Sequence, residues 1–324
     1  MLRSLRLMAV AWFGTLWGRL TNHRRYPSWS FVFELMIRYL RLDWDETADW
    51  DDMRLREDLN RRPYPRQFAN KVKLESGQLG NVAIFRFIPP NSKAGYRLLF
   101  LHGGSYIYGS SATTHAELIA RLAVETGIEA IGVEYRLVPE NTYPTQLNDA
   151  VTTFDALVAS GVSAQQIIVA GDSAGGNLAI ALQIALRDRG GPQAVATVLS
   201  SPWVNLLMPG ASFTENEPFD YGTRDVLEKQ ARKFAGDFPL SDPRISPCFA
   251  DLVGLAPCFI TLGELEIPRD DILQFSESLK RAGVEVTLHR TKDMPHNPPV
   301  FAAFHPEAKA AFDSMVQFIR SKVA

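Results

Sequence analysis

The chain has 324 residues, 46% hydrophobic and 22% charged, which is enough apolar material for a large buried core and too ordinary a mixture for a disordered chain. Lys plus Arg number 34 and Asp plus Glu 36, a formal net charge of −2, so no electrostatic case exists for nucleic acid as a partner. Cys248 and Cys258 are the only cysteines, which excludes a disulfide framework or a paired-cysteine metal site and fits free thiols in a reducing, cytoplasmic compartment.

The apolar run Leu7–Trp17 lies between Arg6 and Arg19. It falls well short of the ~20 residues a spanning helix needs, and no small-x-small cleavage site follows it. Two readings remain: an amphipathic helix covering a pocket, or a helix lying on a membrane surface. The first is favoured, because one short apolar run anchors weakly. Residues 1–60 read as helical and irregular, and hold Trp12, Trp17, Trp29, Trp44 and Trp50. Such bulky aromatics suit a cover over an apolar cavity, although packing explains them nearly as well. Residues 1–65 are therefore taken as an N-terminal helical cap segment, and 66–324 as the main domain.

From about residue 71 the pattern becomes strand-like. Val72–Glu75 and Val82–Phe87 flank Ser76–Asn81, as in an antiparallel hairpin. Apolar runs follow at Leu98–Leu101, Ala130–Val133, Ile167–Ala170, Ala196–Leu199, Phe259–Leu262 and Val284–Leu288. Helical stretches stand between them near 113–126, 145–159, 174–189 and 269–282. Strands alternating with helices predict an α/β fold with a mostly parallel central sheet, and continuous apolar runs predict strands buried on both faces. Between Leu199 and Phe259 only irregular sequence and one helix near 223–235 are readable. That interval is too long for a connection, so 202–250 is assigned as an insertion.

The strongest motif is Gly171-Asp172-Ser173-Ala174-Gly175, directly after one apolar run and at the start of a helix. This is the G-x-S-x-G nucleophile elbow in its required strand–turn–helix setting, with Ser173 as nucleophile. Flanking residues without a Cβ let strand and helix approach, and the helix N-terminus favours negative charge developing nearby. His102-Gly103-Gly104-Ser105-Tyr106 follows the Leu98–Leu101 run, where an oxyanion loop belongs. The expected donors are the backbone N–H groups of Gly103, Gly104 and Ala174, with His102 bracing the loop.

Together the two motifs resemble the hormone-sensitive-lipase-like (GDxG) esterases of the α/β-hydrolases, over roughly residues 70–320. Glu134-Tyr135-Arg136-Leu137-Val138-Pro139-Glu140 and Ser201-Pro202-Trp203 are further similarities. The resemblance implies the α/β-hydrolase fold, a helical cap, a Ser–acid–His triad, no cofactor and no metal. Its Met-Pro-His segment matches Met294-Pro295-His296, which makes His296 the base, although Asn297-Pro298-Pro299 departs from the family's short step to an aromatic residue. Glu266-Ile267-Pro268-Arg269-Asp270-Asp271 matches the acid segment with Glu266 as the orienting acid, a Glu where Asp is commoner. Glu264 is its rival, and Asp270 and Asp271 read as helix N-terminal charges. His23, His115, His289 and His305 read as surface or packing residues.

The expected partner is a small-molecule ester, of short-to-medium acyl length or small and apolar, cleaved through an acyl-enzyme. Acyl transfer or lactone opening in a biosynthetic pathway, and a non-catalytic receptor on the same fold, are the alternatives. Phe213, Phe219, Tyr221, Phe234 and Phe238 are candidate pocket aromatics. A homodimer through an exposed edge strand or terminal helix is a further expectation.

Overall fold

The computed structural model describes residues 2–62 and 64–323. In chain order the helices are α1 (Leu2–Leu20), α2 (Phe31–Thr47), α3 (Asp52–Asn60), α4 (Ala116–Thr126), α5 (Thr145–Ala159), α6 (Ala174–Asp188), α7 (Ser212–Glu215), α8 (Arg224–Ala235), α9 (Arg269–Arg281) and α10 (Pro306–Ser321). The strands are β1 (Lys73–Leu79), β2 (Val82–Ile88), β3 (Arg97–Leu101), β4 (Glu129–Val133), β5 (Ile167–Asp172), β6 (Ala196–Ser200), β7 (Cys258–Gly263) and β8 (Val286–Thr291). They form one eight-stranded sheet in the order β1-β2-β4-β3-β5-β6-β7-β8. β1 and β2 pair antiparallel, as do β2 and β4, and every other pair is parallel.

Successive side chains of a strand point to opposite faces, so a strand with helices on both sides must be apolar throughout. β3 and β5 follow this rule. Leu99, Leu101, Ile167 and Val169 enter the core beneath α5, α6 and α9, whereas Leu98, Phe100, Ile168 and Ala170 enter the core beneath α4 and α10. Two differences from the sequence expectation stand out. The segment expected as the hairpin loop continues the strand: Ser76, Gly77 and Gln78 pair with Phe85, Ile84 and Ala83, and only Gly80 and Asn81 turn the chain, with Gly80 at φ 61°. β8 starts at Val286 rather than at residue 284, because Val284 packs into the core at the end of α9.

The cap forms from two distant segments. α1, α2 and α3 precede the sheet; α7, α8 and their loops occupy the expected insertion, where no strand is present among the described residues. The two are stitched together by Trp44 Nε1 donating to Thr223 Oγ1 (3.2 Å), Arg41 to the Glu217 carbonyl (2.8 Å) and Arg25 to the Asp220 carbonyl (2.8 Å). Beneath the cap lies a cavity of about 820 Å³. Its lining begins at Met36 of α2 and runs through α3, so α1 does not cover the pocket as expected. Instead α1 packs along α2 through Leu7, Ala11, Thr15 and Gly18. The five early tryptophans divide accordingly: Trp44 and Trp50 line the cavity, Trp29 is buried between α2 and the loop after β8, and Trp12 and Trp17 face outward. Of the pocket aromatics expected from the insertion, only Tyr221 lines the cavity; Phe213 and Phe234 are core residues.

Candidate active site

Ser173 sits at the turn between β5 and α6 with φ 52° and ψ −120°, a conformation a non-glycine residue adopts only when its surroundings impose it. The flanking glycines are a steric requirement. A Cβ on Gly171 would lie 2.2 Å from the Gly175 carbonyl oxygen, and one on Gly175 would lie 2.0 Å from that of Leu101. Ser173 N donates to Ser200 O (2.9 Å) and Trp203 N donates to Ser173 O (3.0 Å), which clamps the strained residue between β6 and the chain that follows it.

His296 and Glu266 stand on the loops after β8 and β7. Nδ1 of His296 lies 2.8 Å from Glu266 Oε2, and Glu266 is fully buried. An ionised carboxylate can only accept, so this bond places the proton on Nδ1 and leaves Nε2 as the basic nitrogen. Gly263 N donates to the other carboxylate oxygen, Oε1 (3.1 Å). Burial pushes the Glu266 carboxyl upward, opposed by His296 and the Ser201 hydroxyl. Burial alone would lower His296, but the carboxylates of Glu266, Asp220 and Asp172 outweigh it, and its pKa is raised. Glu264 is engaged elsewhere, 3.1 Å from Arg290 Nη2. Ser173 and His296 line the same cavity.

The oxyanion loop departs from expectation at one residue. Gly103 N is not free: it donates to Asp172 Oδ1 (2.9 Å) and approaches His115 Nε2 (3.3 Å). Its position follows from close packing, since a Cβ there would come 2.5 Å from Asp172 Oδ2. The N–H groups of Gly104 and Ser105 donate to nothing among the described residues, and both residues line the cavity. Gly104 has φ 117° and Ser105 φ 52°, and a Cβ on Gly104 would meet the Tyr108 carbonyl oxygen at 2.0 Å. His102 is buried, stacked on Tyr135 at 4.4 Å between ring centres, with Nδ1 2.8 Å from the Gly103 carbonyl.

Three residues of the site, His115, Asn297 and Asp220, lie outside the motifs, and two of them act through Asp172. Asp172 is buried, and its Oδ2 receives Asn297 Nδ2 (2.8 Å) and lies 3.2 Å from His115 Nε2. Burial raises its carboxyl, but His115 and the Gly103 N–H more than offset that and hold it below the usual carboxylate value. His115, read from sequence as a packing or surface residue, therefore belongs to the site. Asn297, in the left-handed region at φ 56°, also accepts from Ser200 Oγ (2.6 Å) and donates its N–H to Ser201 Oγ (2.9 Å), so it ties the His296 loop to the nucleophile strand. Asp220, from the insertion, is fully buried. Its carboxylate accepts from Ile267 N (2.8 Å), Tyr221 N (2.8 Å) and His296 N (3.1 Å), which joins the neighbour of the acid to the base itself.

No cluster of three or more metal-ligating side chains occurs among the described residues. Cys248 and Cys258 are free, and burial raises both thiols, Cys248 to about 12.

Four of the charged lining residues form two pairs within the wall: Arg62 with Asp43 (2.7 Å) and Lys233 with Asp52 (2.7 Å). The face left for a ligand is apolar, supplied by Met36, Leu40, Trp44, Leu59, Phe68 and Val226.

Comparison with known proteins identifies the family. A family profile described as the alpha/beta hydrolase fold matches residues 98–299. The chain is 34% identical over 237 residues to an acetyl-hydrolase of Streptomyces hygroscopicus, covering 72% of this chain and 79% of that protein. It is 33% identical over 223 residues to the carboxylesterase NlhH of Mycobacterium tuberculosis, covering 66% and 70%. Among solved structures, an esterase from the bacterial hormone-sensitive lipase family superposes with a TM-score of 0.78 at 27% identity, covering 100% of this chain and 99% of that one. The strained serine turn, the fold around it and these kinships agree: the chain belongs to the hormone-sensitive-lipase-like esterases of the α/β-hydrolase family.

Proposed function

We propose that the chain hydrolyses carboxylic esters of short-to-medium acyl length with Ser173 as nucleophile, His296 as general base and Glu266 as the acid that orients it. The observation carrying this reading is the 2.8 Å bond between His296 and buried Glu266, facing the same cavity as the serine on its strained turn. Nδ1–H held by Glu266 leaves Nε2 to take the Ser173 proton as Oγ attacks the ester carbonyl. The carbonyl oxygen gains a full negative charge in the tetrahedral intermediate. The N–H groups of Gly104, Ser105 and Ala174 meet that charge; Gly103, spent on Asp172, instead fixes the loop. His296 then gives the proton to the departing alcohol, and water attacks the acyl-enzyme by the same route in reverse order of roles.

The apolar cavity of about 820 Å³ suits an acyl or alcohol group of several carbons, and the relatives' names, acetyl-hydrolase and carboxylesterase, are consistent with simple esters. The test is turnover of p-nitrophenyl esters of increasing acyl length by the chain and by Ser173→Ala. The expected result is saturable hydrolysis that falls by about 10⁴-fold or more in the variant. Hydrolysis that survives in Ser173→Ala, or none on any ester by a folded chain, would refute the reading; ligand binding without turnover would then favour the receptor role.

A further inference from the structure

α1 is built inside out. Its buried face consists of Leu7, Ala11, Thr15 and Gly18, three of them small, while its large apolar residues point to solvent. Leu2 is 83% exposed, Phe13 65%, Trp17 69% and Leu20 73%, with Leu5 and Trp12 also exposed between them. Arg6 is the one charged side chain on that outer face, and it leans across to Glu46 of α2. A helix facing only water normally shows the reverse pattern, polar outward and bulky apolar inward. A contiguous exposed apolar face on this scale marks a binding surface.

We infer that α1 docks the protein on an anionic phospholipid surface, lying in the headgroup plane with Leu2, Leu5, Trp12, Phe13, Trp17 and Leu20 inserted. No helix among the described residues is long and apolar enough to cross a membrane, so the geometry is interfacial. Charge complementarity selects lipid over a second copy of the chain. α1 carries Arg3, Arg6 and Arg19 and no acidic residue; Arg3 and Arg6 pair with Asp43 and Glu46, whereas Arg19 and Arg38 share the single carboxylate of Glu34, and Arg24 and Arg25 follow within five residues of the helix end. Arg24 is exposed and enters no ion pair among the described residues. In a two-fold pair of antiparallel α1 helices, the excess positive charge at each helix end would meet only the neutralised start of its partner and stay uncompensated. Anionic headgroups neutralise that basic end, and each basic residue near such a surface adds attraction. Tryptophan and phenylalanine on the inserted face suit the interface for the same reason they form aromatic belts.

The docked helix also lies beside the cavity. Arg3 sits over the Trp50 ring at 4.6 Å and 2.6 Å from Asp43, and Trp50 and Asp43 both line the cavity wall. A lipid surface under α1 thus adjoins the wall of the apolar pocket, where a membrane-dissolved ester is most concentrated. The docking itself does not depend on the catalytic reading.

The test is co-sedimentation of the full chain with vesicles of phosphatidylcholine alone and of phosphatidylcholine with phosphatidylglycerol, alongside the double variant Phe13→Glu/Trp17→Glu. Thermal unfolding followed by circular dichroism checks the fold of the variant. The expected result is binding to the phosphatidylglycerol vesicles, weakened by salt, and lost by roughly a hundredfold or more in a variant that unfolds at the unchanged temperature. Three results overturn the proposal: wild-type chain left in the supernatant with both vesicles, binding retained by the variant, or a wild-type dimer that the variant converts to monomer without any vesicle binding.

Discussion

Replacing Asp220 by Asn alters one buried group without replacing a triad residue, and the structure allows its effect to be worked out. The carboxylate accepts three backbone N–H groups, from Tyr221, Ile267 and His296, at 2.8, 2.8 and 3.1 Å, with no solvent exposure. An Asn amide keeps one accepting oxygen and turns an NH₂ group toward the remaining donor or donors. One unsatisfied buried N–H costs about 1–3 kcal/mol, and the retained bonds lose their charge assistance. A stability loss of about 2–4 kcal/mol follows, a fall in Tm of several degrees for a domain of this size. The loops of Glu266 and His296 are joined through this carboxylate, so the base should lose its alignment. A loss of roughly 10–100-fold in kcat, with KM little changed, is expected. The pH profile separates positioning from simple destabilisation. His296 must be neutral to act, and its pKa is raised above that of a free imidazole by Glu266, Asp220 and Asp172 against the pull of burial. The acid limb of kcat/KM should therefore sit above the ~6.5 of unperturbed histidine. Removing the Asp220 charge removes one raising contribution, so the limb moves to lower pH. Wild-type and Asp220→Asn profiles on p-nitrophenyl butyrate, measured well below the variant's Tm, decide the matter. An unmoved limb with unchanged kcat would refute the reasoning.

Glu266→Gln should cost on the order of 10³–10⁴ in kcat, because a neutral amide no longer stabilises the imidazolium or enforces the tautomer. Glu264→Gln, which severs only the half-exposed pair with Arg290, should leave kcat within about twofold, and steady-state kinetics on both variants tests the assignment of the acid. Asn297→Gly keeps the left-handed backbone but loses the links to Asp172 and Ser200, so kcat should fall by about tenfold. Asn297→Ala adds backbone strain of about 1 kcal/mol to the same loss, and comparing the two Tm values separates strain from linkage.

The elements that could be read directly are those whose causes are local in the chain. Gly171, Ser173 and Gly175 lie within five consecutive residues between an apolar strand and a helix, and the steric demand of that turn is the same in any fold that contains it. Strands β3 to β7 are legible for a similar reason, since burial on both faces leaves an uninterrupted apolar run. Ser76-Gly77-Gln78 has the composition of a turn, and only pairing with β2 holds it extended.

Tertiary structure decided the rest. Asp220 is separated from His296 by 76 positions and Asn297 from Asp172 by 125, so no spacing rule connects them. His115 and Gly103 took their roles from Asp172, whose carboxylate claims the N–H expected to serve the oxyanion. For α1, periodicity identifies apolar residues but not the direction they face. Only its packing on α2 through small residues turns the tryptophans outward and leaves the covering of the cavity to α2 and α3. Local sequence specifies what a segment prefers to be; which groups become neighbours depends on how the sheet and cap close around one another.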